Sequence, residues 1–246
     1  MVDIVRGDRC GYGSFVEPKL ALEKPTLRAS MLQDPKGNVR LKLIIYKIGT
    51  IMKANKWNGE SFIVKLRAGN KAKHFSLTDV YGNVINTKEY KNKKILLSFY
   101  RYQSCPLCNL RINKMIQKYP LYKENNLELI SFFQSPNESM LEFMDRQDCP
   151  FPIIADPDKK MYKQYGVESS FLKLLKGLAS KSTKEAIQKG FYPGKAEGDM
   201  KTVPADFLID ENFTIRKAFY GSHIGDHIPF EDIEEFISGT SSHDRY

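Results

Sequence analysis

The chain has 246 residues, 41% of them apolar, which is enough material for a full hydrophobic core. Its four cysteines are too few for a disulfide scaffold at this length. The sequence lacks the apolar core of a secretory signal peptide and any uncharged stretch long enough to cross a membrane. We therefore expect a protein of the reducing cytoplasm, where paired cysteines are more often catalytic than structural.

Positive charge is concentrated in the first third of the chain. Residues 1–73 carry 15 Lys and Arg against 6 Asp and Glu, whereas the remaining residues carry 23 of each. This asymmetry predicts a basic N-terminal extension, residues 1–65, and a separate domain, residues 66–246.

Residues 39–56 hold the clearest predicted element of the extension. Their apolar residues recur at helical spacing and their lysines lie largely opposite, which predicts a basic amphipathic helix. Such a helix either packs on the domain or lies on an anionic membrane surface or an acidic partner. Because the chain shows no known nucleic-acid module, we expect no nucleic-acid partner.

Strands and helices alternate in the second part of the chain. We predict a hairpin around Tyr81-Gly82-Asn83, strands over 95–100, 127–133, 151–154, 205–209 and 213–220, and helices over 106–118, 137–147, 158–165 and 230–237. This order predicts an α/β fold with a mixed central sheet flanked by helices. The Lys-rich segment 167–200 is predicted to be a partly helical surface insertion.

Cys105 and Cys108 form a C-x-x-C pair where a predicted strand turns into a helix. The free N–H groups and the positive end of the dipole at a helix N-terminus both favour a thiolate, which is the form that attacks disulfides and peroxides. Arg101 and Arg111 are the nearest cations along the chain. Either one stabilises the thiolate or an oxyanion, or it faces solvent.

Other polar residues offer alternative chemistry or structural roles. His223 and His227 would complete a two-Cys, two-His zinc set, but they follow the cysteines by more than a hundred residues, so we expect no metal and no organic cofactor. Asp206 and His227 either take part in proton transfer or have a structural role. Cys149 and Cys10 are expected to be inert thiols.

The motifs AGNKAKHFSLTDVYGNVI, LLSFYRYQSCPLCN, FPIIADPDKKMYKQYGV, VPADFLIDENFTIRKAFYG and GDHIP occur in this order over residues 66–238. The chain thereby resembles the thioredoxin fold and, within it, the peroxiredoxin-like AhpC/TSA family. The resemblance implies a cis-proline at Pro204, which would expose the backbone of Val203 for pairing with a substrate.

The resemblance also exposes departures from the family pattern. Peroxiredoxins carry P-x-x-x-T-x-x-C, and here Arg101, Cys105 and Cys108 stand at the Pro, Thr and peroxidatic Cys positions. Thioredoxin-like dithiols imply attack by Cys105, as the more exposed sulfur, and resolution by Cys108. The peroxiredoxin register implies the opposite order.

These features predict a thiol oxidoreductase that reduces a peroxide or a disulfide through Cys105 and Cys108, with Pro204 and Arg101 as supporting residues. A cellular thiol donor, such as a thioredoxin-type protein, would regenerate the dithiol. The alternative is a redox-sensing binding module whose N-terminal helix docks on a membrane surface or an acidic partner. The oligomeric state is left open by the sequence.

Overall fold

The computed structural model describes residues 30–33, 39–42, 64–144 and 148–239. The chain divides into two compact units, residues 1–55 and residues 56–246. The predicted division between residues 65 and 66 stays a prediction.

In the smaller unit, β1 (Ser30–Gln33) pairs antiparallel with β2 (Val39–Lys42). The helix predicted from residue 39 is therefore wrong for its first four residues. Val-Arg-Leu-Lys alternates apolar and charged residues, which is the period of a strand, and the intervening sequence DPKGN is rich in turn-forming residue types. The rest of that predicted helix, residues 43–56, lies outside the described residues.

The larger unit is built on a mixed sheet. A hairpin of β3 (Ser76–Thr78) and β4 (Val84–Asn86) precedes it, as predicted. The sheet itself contains β5 (Lys94–Phe99), β6 (Leu127–Phe133), β7 (Ile153–Ala155), β8 (Ala205–Ile209) and β9 (Ile215–Tyr220). Its order is β7-β6-β5-β8-β9, with β5, β6 and β7 parallel and both β8 and β9 antiparallel to their neighbours. The mixed central sheet predicted from the sequence is confirmed.

Helices flank this sheet. They are α1 (Pro106–Glu124), α2 (Asn137–Met144), α3 (Lys160–Gln164), α4 (Phe171–Leu178), α5 (Lys181–Gln188) and α6 (Phe230–Ser238), with a short 3-10 helix at Thr87–Tyr90. Helices α4 and α5 form the predicted insertion. Within the described residues, no helix has the length and apolar content that crossing a membrane requires.

The side chains of β5 divide between two apolar clusters. Leu97 and Phe99 belong to one cluster, whereas Leu96 belongs to the other. This alternation follows from the two-residue period of a strand. The cluster of Leu96 also contains Cys105 and Cys108, so the fold places both sulfurs against its own core.

Candidate active site

The dithiol lies where the chain leaves the end of β5 and enters α1. Cys105 is the N-cap residue of α1, with extended backbone angles (φ −74°, ψ 118°), and its Sγ accepts a hydrogen bond of 3.4 Å from the Cys108 N–H. Pro106 occupies the first helical position, where the missing N–H costs nothing. A thiol thus performs the capping role that Ser, Thr, Asp or Asn usually performs.

Arg101 is the cation that the fold brings to the dithiol. Its Nη1 lies 3.4 Å from the Cys105 Sγ, and its side chain is buried beside the Tyr102 ring. Arg111, the other candidate, is used elsewhere: it donates to the Ile228 carbonyl at 2.7 Å. The structure therefore brings only one of the two sequence-predicted cations within hydrogen-bond distance of Cys105.

The two sulfurs differ in acidity. Burial raises the pKa of Cys105, but the hydrogen bond from the Cys108 thiol, the Arg101 charge and the N–H groups of Cys108 and Leu107 outweigh it, lowering the pKa to about 7. Burial and the bond to Cys105 both raise the pKa of Cys108 well above its ordinary value. Near neutral pH, Cys105 is therefore partly thiolate while Cys108 is a thiol that donates to it.

Both sulfurs are reduced and buried, with 0% of Cys105 and 1% of Cys108 exposed. The prediction that Cys105 is the more exposed of the two is wrong. As the N-cap residue it turns its sulfur inward, toward Arg101 and the Cys108 N–H. A substrate consequently reaches Cys105 only after a local opening of the structure.

Residues 193–200, here called the strap, lie against the two residues that precede Cys105. The Ser104 hydroxyl donates to the Lys195 carbonyl at 2.6 Å, and the Gln103 amide donates to the Glu197 carboxylate at 3.0 Å. At its far end, the Asp199 N–H donates to the Gln134 side chain at 2.8 Å. Water can replace polar contacts of this kind, so the strap is the natural segment to move.

Pro204 directly precedes β8, whose first residue, Ala205, pairs with Phe99 at the end of β5. The proline therefore lies at the same end of the sheet as the dithiol. The backbone of Val203, expected to be free for a substrate, is not: its N–H donates to the Glu168 carbonyl at 2.9 Å and the residue is 1% exposed. The chain itself occupies this position, and the cis isomer of Pro204 stays a prediction.

Asp206 and His227 form a buried hydrogen-bonded contact. The His227 Nδ1 lies 3.1 Å from both carboxylate oxygens, and the Ile228 N–H donates to one of them at 2.8 Å. Burial alone would raise the pKa of Asp206, but His227 and Arg111 hold it below its usual range. The sequence offers each residue as a separate candidate for proton transfer, and no sequence signal pairs them, because 21 positions separate them.

The zinc alternative gains no geometric support. Besides the Asp206 contact of His227, the His223 Nδ1 accepts a hydrogen bond from the Gly225 N–H at 3.2 Å. Over the described part of the chain, no three His, Cys, Asp or Glu side chains are grouped so that they could hold a metal ion.

Cys149 lacks the acidified thiol that the dithiol contains. Burial raises the pKa of Cys149 to about 12, and its Sγ lies 3.7 Å from the Phe151 carbonyl. Such a thiol is unreactive at neutral pH, in line with the predicted inert role. Cys10 lies outside the described residues.

A dithiol with one acidified sulfur, set at the helix N-terminus of a thioredoxin-like sheet, defines a thiol oxidoreductase. The model of the AhpC/TSA family matches residues 68–218, more than half of the chain. The chain belongs to the AhpC/TSA family, which confirms the resemblance seen in its motifs.

Two relatives and one solved structure illustrate this membership. The thiol-disulfide oxidoreductase ResA of Bacillus thuringiensis is 29% identical over 134 residues, 51% of this chain and 77% of the relative. A protein of Mycobacterium tuberculosis named as a peroxiredoxin is 25% identical over 117 residues, 46% of this chain and 74% of that protein. The crystal structure of a peroxidoxin from Mycobacterium tuberculosis shares the fold, with a TM-score of 0.51 and 15% identity over 70% of this chain and 95% of that one.

Proposed function

We propose that the protein reduces disulfide bonds, with Cys105 as the attacking sulfur and Cys108 as the resolving sulfur. The main support for this proposal is that the pKa values of the two thiols are shifted in opposite directions: that of Cys105 is lowered to about 7 and that of Cys108 is raised well above its ordinary value. A peroxiredoxin order would need the low pKa on Cys108. The name of the relative ResA, a thiol-disulfide oxidoreductase, supports a disulfide as the substrate.

The cycle balances without a metal or organic cofactor. The Cys105 thiolate attacks one sulfur of the substrate disulfide, forming a mixed disulfide and releasing the first substrate thiolate. Cys108 loses its proton and attacks the Cys105 sulfur, which releases the second thiolate and leaves a Cys105–Cys108 disulfide. Two electrons have then passed to the substrate, and a thiol donor, for instance a thioredoxin-type protein, returns them.

A compact substrate fits this site better than an extended protein strand. The Val203 N–H, which a substrate backbone would use, is bonded to Glu168, and the strap lies against Gln103 and Ser104. A small-molecule disulfide needs only the strap to open. We also propose the reducing cytoplasm as the compartment, because the cycle requires a supply of reduced thiols.

Peroxide reduction is the second candidate, and Arg101 is the observation that favours it. Its Nη1, 3.4 Å from the Cys105 Sγ, can stabilise the oxyanion that leaves when a thiolate attacks a peroxide. Here Cys105 becomes a sulfenic acid, the peroxide becomes an alcohol or water, and Cys108 then displaces hydroxide to form the same disulfide. Against it stands the absence of the family threonine, whose position Cys105 occupies.

The redox-sensing module whose N-terminal helix binds a membrane or an acidic partner has no supporting observation. Its proposed helix begins with the strand Val39–Lys42.

The test measures how fast the fully reduced protein reacts with equimolar hydroxyethyl disulfide and, separately, with equimolar hydrogen peroxide. We expect hydroxyethyl disulfide to react far faster than it does with free cysteine, and mapping to find a Cys105–Cys108 bond. Cys105→Ser should abolish the reaction, while Cys149→Ser, a matched change at another buried thiol, should leave it intact. If the protein reacted faster than free cysteine with hydrogen peroxide but not with hydroxyethyl disulfide, peroxide reduction would be its function instead. Acceleration with neither would refute both.

A further inference from the structure

The insertion carries an unusual concentration of exposed apolar side chains. Leu172 is 78% exposed and Tyr192 is 69% exposed. We call the exposed large apolar residues within residues 171–192 the apolar face, and it comprises Phe171, Leu172, Leu175, Leu178, Ile187 and Tyr192. Scattered apolar residues are normal on a protein surface, but this many exposed apolar residues within one short stretch of chain, residues 171–192, indicate a place of interaction.

Helix α4 carries apolar residues both on the side that packs against the domain and on the side that is exposed to solvent. Leu174 and Gly177 are buried, and a Cβ on Gly177 would lie 2.2 Å from the Ile224 side chain, so this side seats the helix on the domain. Phe171, Leu172 and Leu175 project away from that contact. The exposed Phe171, Leu172 and Leu175 lie beside Lys173 and Lys176, so the open side of α4 pairs large apolar side chains with positive charge, which is typical of a helix that lies at an interface.

Lysines surround the apolar face. Residues 171–195 contain six Lys and one Glu, whereas residues 74–246 as a whole are neutral. Lys176, Lys181, Lys184 and Lys189 are exposed. A second copy of the chain would bring two positive surfaces together, so the charge argues against self-association and for an anionic occupant.

We propose that the apolar face docks on an anionic phospholipid surface. Phe171, Leu172 and Leu175 enter the interface between head groups and acyl chains, and the lysines remain at the level of the phosphates. A lipid surface fits better than a protein because a short helix with large apolar residues beside lysines suits a flat, anionic interface. This proposal concerns helices α4 and α5 and is independent of the dithiol chemistry.

The experiment is flotation of the full-length reduced protein with vesicles of roughly 70% phosphatidylcholine and 30% phosphatidylserine, against vesicles of phosphatidylcholine alone. We expect binding to the anionic vesicles that weakens as salt is added. The double variant Phe171→Ser, Leu172→Ser should bind about tenfold or more weakly, because burying such side chains supplies most of the attraction. Both positions are exposed, so the fold should survive.

Matched controls separate this surface from other exposed apolar and basic positions of the same domain. Val84→Ser removes an exposed apolar side chain from the β3–β4 hairpin and should leave binding unchanged. Lys181→Gln with Lys184→Gln should weaken binding, whereas Lys88→Gln with Lys91→Gln, at equally exposed positions, should have a smaller effect. Binding that is absent in wild type, or that persists unchanged in the Phe171, Leu172 variant, would overturn the proposal.

Discussion

Cys105 and Cys149 are both buried cysteines in the same domain, yet their acidities are shifted in opposite directions. The pKa of Cys105 lies at about 7 and that of Cys149 at about 12. Burial raises both values, because a low-dielectric surrounding disfavours the charged sulfur. Burial therefore does not make a cysteine inert by itself; the groups that face the sulfur decide.

The two pKa values differ because backbone N–H groups and the Arg101 cation stabilise the thiolate of Cys105 more than the surroundings of Cys149 stabilise its thiolate. Cys105 caps a helix, receives the Cys108 N–H and lies 3.4 Å from Arg101. The backbone of Phe151 offsets only part of the cost of burying Cys149. Changing these groups one at a time separates their contributions.

Cys108→Ala should have the largest effect on turnover. Without the resolving thiol, the first attack by Cys105 leaves a mixed disulfide that cannot be released, so steady-state turnover should stop while one equivalent of substrate thiol is still liberated. Mass spectrometry of the protein after one addition of hydroxyethyl disulfide checks this. A variant that continues to turn over would show that another thiol resolves Cys105.

Arg101→Gln should raise the pKa of Cys105 toward its ordinary value of about 8.5. The thiolate forms as pH rises through the pKa, so the wild-type rate should rise through about pH 7 and then level off, and the variant's rise should move to higher pH. At pH near 7 we expect a loss of roughly tenfold.

Two controls accompany the Arg101→Gln measurement. Arg101→Lys keeps the charge and should restore part of the rate, while Arg216→Gln removes an exposed arginine and should have no effect. An unchanged pH profile in Arg101→Gln would contradict the assigned role of Arg101.

Glu197→Ala should loosen the strap by removing its bond to Gln103. Losing one such hydrogen bond of about 1 kcal/mol should increase the alkylation rate of Cys105 by iodoacetamide about fivefold. Glu89→Ala, at an exposed position on the 3-10 helix, serves as the control. Equal alkylation rates in both variants would mean that access to Cys105 does not pass through the strap.

Cys149→Ser should have the smallest effect. Since Cys149 contacts the Phe151 backbone and is not a partner of the dithiol in the hydrogen bonds around Cys105, the pH profile should be unchanged. A shifted profile would show that the two thiols communicate.

Much of the fold could be predicted from local sequence patterns. The strands at residues 127–133 and 205–209 agree with the structure at both ends, because unbroken apolar runs between turn residues define a buried strand well. The predicted helix at 39–56 fails at its start, where Val-Arg-Leu-Lys fits a strand period as well as a helical one.

The site could be predicted only in part. The dithiol and its helix N-terminus are local features, but three decisive contacts join distant segments: Ser104 with Lys195, Val203 with Glu168, and Asp206 with His227. None of these contacts leaves a periodic or spacing signal in the sequence. The burial of Cys105 was missed because the inward direction of an N-cap side chain depends on the partners that the fold supplies.

The central claim is that Cys105 is the acidified sulfur, and the most direct measurement is a titration of thiolate ultraviolet absorbance on the reduced protein. We predict that one thiolate appears as pH rises through about 7 and that this step is missing in Cys105→Ser but kept in Cys149→Ser. A step near pH 7 that survives in Cys105→Ser, or a wild-type protein whose first thiol titrates above about 8.5, would contradict the account.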